Sequence, residues 1–540
     1  MRKAPGAGKA RCVFMHSVVL VFSAAVSIAW CGLARAQGDA LVVRTGAGLV
    51  RGTAWQGSGA QFLGIPYAEP PLGPLRWRAP VPKKPWAGIR DAAEFGGACP
   101  QPDMGWNHRE VETSREDCLY LNVIAPVWPA KTALPVMFWL HGGANKGGSG
   151  SGDLYNAGKL PDHGVVLVTI NYRLGILGFF AHPALAEESP HGASGNYALM
   201  DQILALHWVQ DNIAKFGGDP NNVTVFGQSA GSMDAGMLMT SPRARGLFQK
   251  AILESGVPLA PPPTPLGAAE KSGEDFAALF AAPAGQSRIA SLRQVPALDL
   301  IAKSANSEWG RAPVGPDIDG YVLSESPAEV FKAGREAPIA VILGTTTREF
   351  TSSEPADQLR ETIQRVTGKY AGQALALYGL AGTGEGKSDL FYGTAADQWN
   401  ADTGFRCPVT TVSQWHTAAH HPVYEYEFDH AIPGHEAQGA THSGELPYVF
   451  GFFPTSGNIS GNFSEVDKRL AETIGTYWTN FAKTGNPNSA GLANWPEFDS
   501  NERYLIFAED GNAVLSRGPL RGAQCDLYRE TIAGRLNEGQ

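Results

Sequence analysis

Short apolar runs rich in valine and isoleucine alternate along the chain with longer stretches whose apolar residues recur every three or four positions. The runs "PVMFWL" (Pro135–Leu140), "VVLVTI" (Val165–Ile170), "VTVF" (Val223–Phe226) and "KAILES" (Lys250–Ser255) read as buried strands. Between the second and third, "YALMDQILALHWVQDNIAKF" (Tyr197–Phe216) puts Leu199, Ile203, Leu206, Val209 and Ile213 on one helical face. Strands separated by helices predict an α/β protein with a doubly wound, mostly parallel central sheet. From Pro261 the pattern changes. "PPPTP" is a stiff, turn-rich break, and alanine-rich helical patterns to Ser304 look like an insertion over the sheet. Strands resume at "APIAVILG" (Ala337–Gly344) and "VYEYEF" (Val423–Phe428). One large domain, residues 37–540, with a helical excursion around 261–335, accounts for this order.

The first residues do not belong to that pattern. Arg2, Lys3, Lys9 and Arg11 precede an apolar stretch from Val13 to Trp30, and Ala34-Arg35-Ala36 follows, the layout of a secretory signal peptide cleaved near Ala36. The chain is therefore expected to be exported, to the periplasm or the medium, without a membrane anchor. Residues 1–36 hold five basic and no acidic side chains, so their removal takes the formal charge from −9 to −14. That excess of negative charge excludes nucleic acid as a natural partner. About 500 residues at 43% hydrophobic can bury a large core. Export also changes the reading of the four remaining cysteines, Cys99, Cys118, Cys407 and Cys525, which suit disulfides in any of three pairings. Their spacing resembles no zinc site, and no metal is expected.

The candidate chemistry lies in "TVFGQSAGSMDA" (Thr224–Ala235), where a strand runs into Gly-x-Ser-x-Gly and then a helical pattern. That is the setting of a nucleophile elbow: Gly227 and Gly231 allow a sharp turn, and Ser229 projects its hydroxyl from the apex. A serine nucleophile needs a base and an acid that orients it. Glu349 stands where the strand "AVILGTTTRE" runs out into polar loop, and His442 follows in "GATHSGELPYVFG", beyond the last clear strand. The glycine-rich "LHGGANKGGSG" after Leu140 exposes backbone at the same sheet edge. Gly143, Ala144 and Ala230 are its candidate donors of N–H groups to a developing oxyanion. His420, His421, His430 and His435 are expected to be loop or surface residues.

Taken together these stretches resemble the type-B carboxylesterase family, the group of cholinesterases and bacterial p-nitrobenzyl esterases. The resemblance runs from "FLGIPYAEPPLGPLRW" (Phe62–Trp77) to "CDLYRE" (Cys525–Glu530), with "EDCLYLNVIAP" and "FGGDPNNVTVFGQSAG" its most specific parts. It implies the α/β-hydrolase fold, a Ser229–Glu349–His442 triad, the oxyanion donors named above, and Cys99–Cys118 and Cys407–Cys525 bridges. The activity it implies is two-step hydrolysis of carboxylic esters without a cofactor.

The chain departs from the family pattern at Ala144, Asn145 and Lys146, where relatives carry glycine and aromatic residues. It does so again at Arg348 and Phe350, where aspartate and glycine flank the glutamate, and at Asp234, a position usually small and neutral. Lys146 and Arg348 bring positive charge to an acidic protein beside the expected site. An ester whose acyl group is an anionic polycarboxylate, such as the tricarballylate esters of fumonisin-type toxins, fits that pair of cations. The alternatives are a general short-chain carboxylesterase, a lipase with a lid within Pro261–Ser304, and a non-catalytic binding protein of the same fold.

Overall fold

Eleven strands hydrogen-bond into one sheet. In this computed structural model, which describes residues 41–283, 285, 287–311 and 315–537, they are β1 (Thr53–Trp55), β2 (Gly59–Pro66), β3 (Tyr120–Ala125), β4 (Leu134–Leu140), β5 (Val166–Ile170), β6 (Gly218–Gln228), β7 (Lys250–Glu254), β8 (Ala340–Thr346), β9 (Val423–Phe428), β10 (Leu505–Phe507) and β11 (Ala513–Leu515). The signal-peptide segment lies outside the described residues. The spatial order is β11-β10-β9-β8-β7-β6-β4-β5-β3-β2-β1. From β5 to β10 all neighbours are parallel, and the strands outside them at both edges pair antiparallel. This is the α/β-hydrolase fold expected from the sequence.

The period of two along each strand feeds a separate core on each face. Val136, Phe138 and Leu140 of β4 join Val166, Val168 and Leu253 under the helix α1 (Tyr197–Asn212). Met137 and Trp139 turn to the other face, with Phe226, Ile342 and Tyr426, and meet Ile474, Trp478 and Phe481 of the helix Glu465–Thr484. Strands buried on both faces read as unbroken apolar runs, which is why the sequence revealed them. Of the antiparallel strands β1 to β3, β1 is only three residues long and β2 carries two glycines and Gln61, whereas β3 (YLNVIA) is fully buried and broken only by Asn122, and none of the three was among the runs read as strands.

The helices after Pro261 (Leu266–Ala277, Arg288–Leu292 and Ala297–Ala305) bury Phe276, Leu292 and Ile301 against Trp77, Ile176 and Phe180. Most of their apolar side chains form a satellite core, with Leu298 left exposed. Cys99 is bonded to Cys118, and Cys407 to Cys525, the latter joining the helix Cys407–Ala418 to the terminal helix Gly522–Asn537. Among the described residues no helix is long and apolar enough to cross a membrane.

At the carboxyl edge of the sheet β6 ends at Gln228, and the helix α2 (Ala230–Thr240) begins two residues later. The turn is pressed against the end of β4. A Cβ on Gly231 would lie 2.1 Å from the carbonyl oxygen of Leu140 and 2.6 Å from that of His141. A Cβ on Gly227 would meet Gly231 itself at 2.5 Å. Backbone cannot rotate away as a side chain can, so Gly231→Ala has to part α2 from β4. We expect it to destabilise the fold by about 1–3 kcal/mol, read as a lowered urea midpoint with an unchanged slope.

Candidate active site

Ser229 occupies the single residue between β6 and α2, with φ 57° and ψ −125°. This is a region of backbone space that non-glycine residues rarely enter, and it costs about 1–3 kcal/mol. The surroundings hold it there: the N–H of Ser229 donates to Glu254 O at the end of β7 (2.8 Å), and Met233 N–H donates back to Ser229 O (3.0 Å). The hydroxyl is thereby fixed at the head of a helix whose first N–H groups have no intrahelical partner.

The loop after β4 wraps the same point. Gly143, Ala144 and Asn145 all have positive φ (112°, 55° and 56°), and Gly143 O accepts from the N–H groups of Lys146 (2.9 Å) and Gly147 (3.0 Å). This curl leaves the N–H groups of Gly143 and Ala144 without a protein acceptor among the described residues, as is that of Ala230. A Cβ on Gly142 would lie 3.1 Å from Ser229 Cβ, so the loop and the serine are in contact. Two departures from the family pattern prove to be partners here. Asn145 Nδ2 donates to Asp234 Oδ1 (3.1 Å), and Gln202 Nε2 of α1 donates to Asp234 Oδ2 (2.6 Å). Asp234 is fully buried, and burial pushes its pKa up to about 6. It ties the Gly143–Asn145 curl to both α1 and α2.

Glu349 and His442 approach from the ends of β8 and β9. A parallel bridge pairs Glu349 with Thr441, and His442 N–H donates to Glu349 O (2.7 Å), so the two loops are joined through backbone before their side chains meet. The Glu349 carboxylate accepts from Thr346 N–H through Oε1 (2.9 Å) and lies 2.5 Å from His442 Nδ1 through Oε2. With Nδ1–H donated to the carboxylate, His442 Nε2 carries the lone pair, and the Gln228 side-chain amide sits 3.3 Å from it. Among the described residues the Ser229 hydroxyl makes no hydrogen bond. Such bonds commonly tighten only when substrate is bound. Two aromatic rings flank the imidazole: Phe350, half exposed, at 4.2 Å between centroids, and Phe405 at 5.1 Å. Phe405 comes from a π-helical turn, Asp402–Arg406.

Beneath this constellation lie two further carboxyl groups, Glu254 and Glu445, both fully buried. Burial pushes Glu254 up to about 8, although Trp478 Nε1 donates to it, and drives Glu445 well above its ordinary value. Glu254 is therefore mostly a neutral acid at neutral pH. His141, stacked on Tyr172, is pushed down to about 4 by burial, so its neutral ring donates from Nδ1 to Gly142 O at 2.8 Å.

Ser229, His442, Glu349 and the N–H groups of Gly143, Ala144 and Ala230 thus lie together at the edge where the parallel strands end, the arrangement expected of a serine hydrolase site. The sequence profile of the carboxylesterase family matches residues 39–527. The chain belongs to the carboxylesterase family. Its relatives include a fumonisin B1 esterase from Sphingopyxis macrogoltabida, 38% identical over 86% of each chain. A para-nitrobenzyl esterase from Bacillus subtilis (strain 168) is 36% identical over 88% of this chain and 96% of its own. A solved PNB esterase superposes with a TM-score of 0.78 at 33% identity, covering 90% of this chain and 99% of that one. The protein is a carboxylic ester hydrolase.

The two cations singled out in the sequence have different fates in this carboxylesterase. Arg348 donates to three main-chain carbonyls, Leu390 O (2.7 Å), Phe391 O (3.0 Å) and Ala437 O (3.2 Å). It straps two loops together and is committed to them. Lys146 follows the oxyanion curl and lines a cavity of about 260 Å³ with Leu174, Ile176, Ile301 and Trp309. Its ammonium donates to Gly310 O (3.1 Å), and it forms no ion pair among the described residues. Gln228, Phe405 and the Asn145–Asp234 pairing were not found by sequence reasoning, although Asn145 and Asp234 each stood out as departures.

Two outcomes follow from these contacts. Asp234→Ala frees the oxyanion curl without touching the triad, and is expected to lower kcat about ten-fold with KM changed less than about two-fold in steady-state assays. The raised carboxyl pKa of Glu254 means that the native state holds a proton which the unfolded chain releases above its ordinary value of 4.5. Its stabilisation is complete below that value and is lost as pH rises through about 8. Asp234, at about 6, acts with the same sign. Melting temperature should therefore decline between pH 5 and 8, and Glu254→Gln, which keeps an acceptor for Trp478, should flatten that decline.

Proposed function

We propose that this carboxylesterase is an exported enzyme that cleaves esters of anionic polycarboxylic acids through an acyl-enzyme on Ser229. His442 takes the Ser229 proton as the hydroxyl attacks the ester carbonyl, and returns it to the departing alcohol. Water, activated by the same imidazole, then releases the acid. Glu349 orients the ring and stabilises its cation, while the N–H groups of Gly143, Ala144 and Ala230 receive the oxyanion.

The observation that carries the substrate class is Lys146. It is a partly buried ammonium beside the oxyanion loop, held by one neutral carbonyl and by no carboxylate among the described residues. Lys146 follows directly on the Gly143–Asn145 curl, and an ammonium paired with no carboxylate among the described residues at that place favours an acyl group that brings its own negative charge. The similarity to a fumonisin B1 esterase agrees with that choice. Arg348, committed to three carbonyls, has no part in it. Export is supported by the signal-peptide pattern and by the two disulfides.

The test compares kcat/KM for a matched pair of esters of one alcohol, with a neutral short acyl group and with a tricarballylate group. The wild type should favour the anionic ester by about ten-fold or more, which is about 1.4 kcal/mol of transition-state discrimination. Lys146→Glu should reverse that preference while leaving the neutral ester within about three-fold of wild type. Equal losses on both esters would remove Lys146 from recognition. A wild-type preference for the neutral ester would return the protein to the general carboxylesterases.

A further inference from the structure

On the far side of β8 from the catalytic loops, Glu336, His416 and His421 bring one donor atom each to within 4.8 Å of one another. Glu336 lies in the segment that enters β8, His416 in the last turn of the helix Cys407–Ala418, and His421 between that helix and β9. His416 is completely buried and Glu336 is 2% exposed.

The hydrogen bonds of His416 set the problem. Its Nε2 lies 2.8 Å from the carbonyl oxygen of Ile339, which can only accept, so Nε2 carries a proton. A neutral imidazole then has a lone pair on Nδ1, yet Nδ1 faces Glu336 Oε1 at 2.6 Å. Two acceptors do not face each other at that distance without a positive charge between them. The second carboxylate oxygen, Glu336 Oε2, is buried with no hydrogen-bond partner. The His421 ring stands 4.7 Å from the His416 ring, and its side chain makes no hydrogen bond among the described residues.

We propose that Glu336, His416 and His421 form a structural site for a zinc-class divalent cation that pins the helix Cys407–Ala418 to the entry of β8. Two imidazoles and a carboxylate are a zinc donor set, with water in the fourth position. The Ile339 carbonyl is the outer partner that fixes the tautomer of a ligating histidine. Bonds of about 2.0–2.2 Å in a tetrahedral site set neighbouring ligand atoms about 3.3 Å apart, so the ion parts His416 Nδ1 from Glu336 Oε1, which stand at 2.6 Å, while His421, partly exposed and with no side-chain hydrogen bond among the described residues, moves in and supplies the way in. The ion replaces the proton shared between His416 Nδ1 and Glu336 and releases it to solvent. No cysteine takes part, which is why cysteine spacing gave no hint of it.

The experiment is a titration of the purified, chelator-treated enzyme with Zn²⁺ by calorimetry, alongside melting temperature and esterase activity. Wild type should bind one ion with Kd below about 10 µM and gain several degrees in melting temperature at saturation. His421→Ala, a change at a partly exposed position that leaves the buried pair intact, should weaken binding at least about thirty-fold with apo stability and activity unchanged. Glu336→Gln should also lose binding, and His420→Ala, at the exposed neighbour, should retain it. Absence of saturable binding up to about 1 mM, or equal affinity in wild type and His421→Ala, overturns the proposal and leaves a shared proton as the only cation at this site.

Discussion

Everything at the catalytic edge depends on backbone packed against backbone where β6 turns into α2. The clearance that Gly231 leaves for the carbonyls of Leu140 and His141 allows the loop after β4 to lie against the serine, and nothing larger than hydrogen fits there. The strained conformation of Ser229 is the consequence, and two continuous cores, one on each face of the sheet, hold it. Because β4, β6 and β7 are buried on both faces, their ends cannot shift independently. The bond from Ser229 N–H to Glu254 O makes the nucleophile part of the sheet's own register.

Burial also governs the charges around the site. Burial raises the pKa of both Glu254 and Glu445, which favours their neutral forms and limits negative charge in the low-dielectric space next to Glu349 and His442. The chain's departures from its family sort by the same criterion. Asn145 and Asp234 belong together because one supplies the donor and the other the acceptor of a buried bond. Phe350, one of the departures, packs against the His442 imidazole with ring centroids 4.2 Å apart. Arg348 is tied to loop carbonyls and Lys146 stands by the cavity, two outcomes for the same charge set by groups far away in sequence.

The central strands were legible because parallel strands covered on both faces leave uninterrupted apolar runs, and the elbow because its glycines sit between a strand and a helix. The order serine, glutamate, histidine carried the rest of the candidate triad. Strand β1 escaped because it is a three-residue edge strand and β2 because glycines and Gln61 interrupt it, while β3, apolar but for Asn122, was readable as a strand and was noticed only as part of a family motif. The Asn145–Asp234 bond spans 89 residues and Phe405 reaches His442 from a π-helical turn, relations that no local pattern encodes. Lys146 and Arg348 looked equivalent in sequence, and only the carbonyls around Arg348 separate them.

The claim on which the mechanism rests is that Ser229 is the activated nucleophile. Mass-spectrometric mapping of the protein after reaction with a fluorophosphonate tests it directly. The account predicts a single adduct on the peptide bearing Ser229, absent in Ser229→Ala and formed far more slowly in His442→Asn. An adduct on another serine, or one that persists in Ser229→Ala, would contradict it.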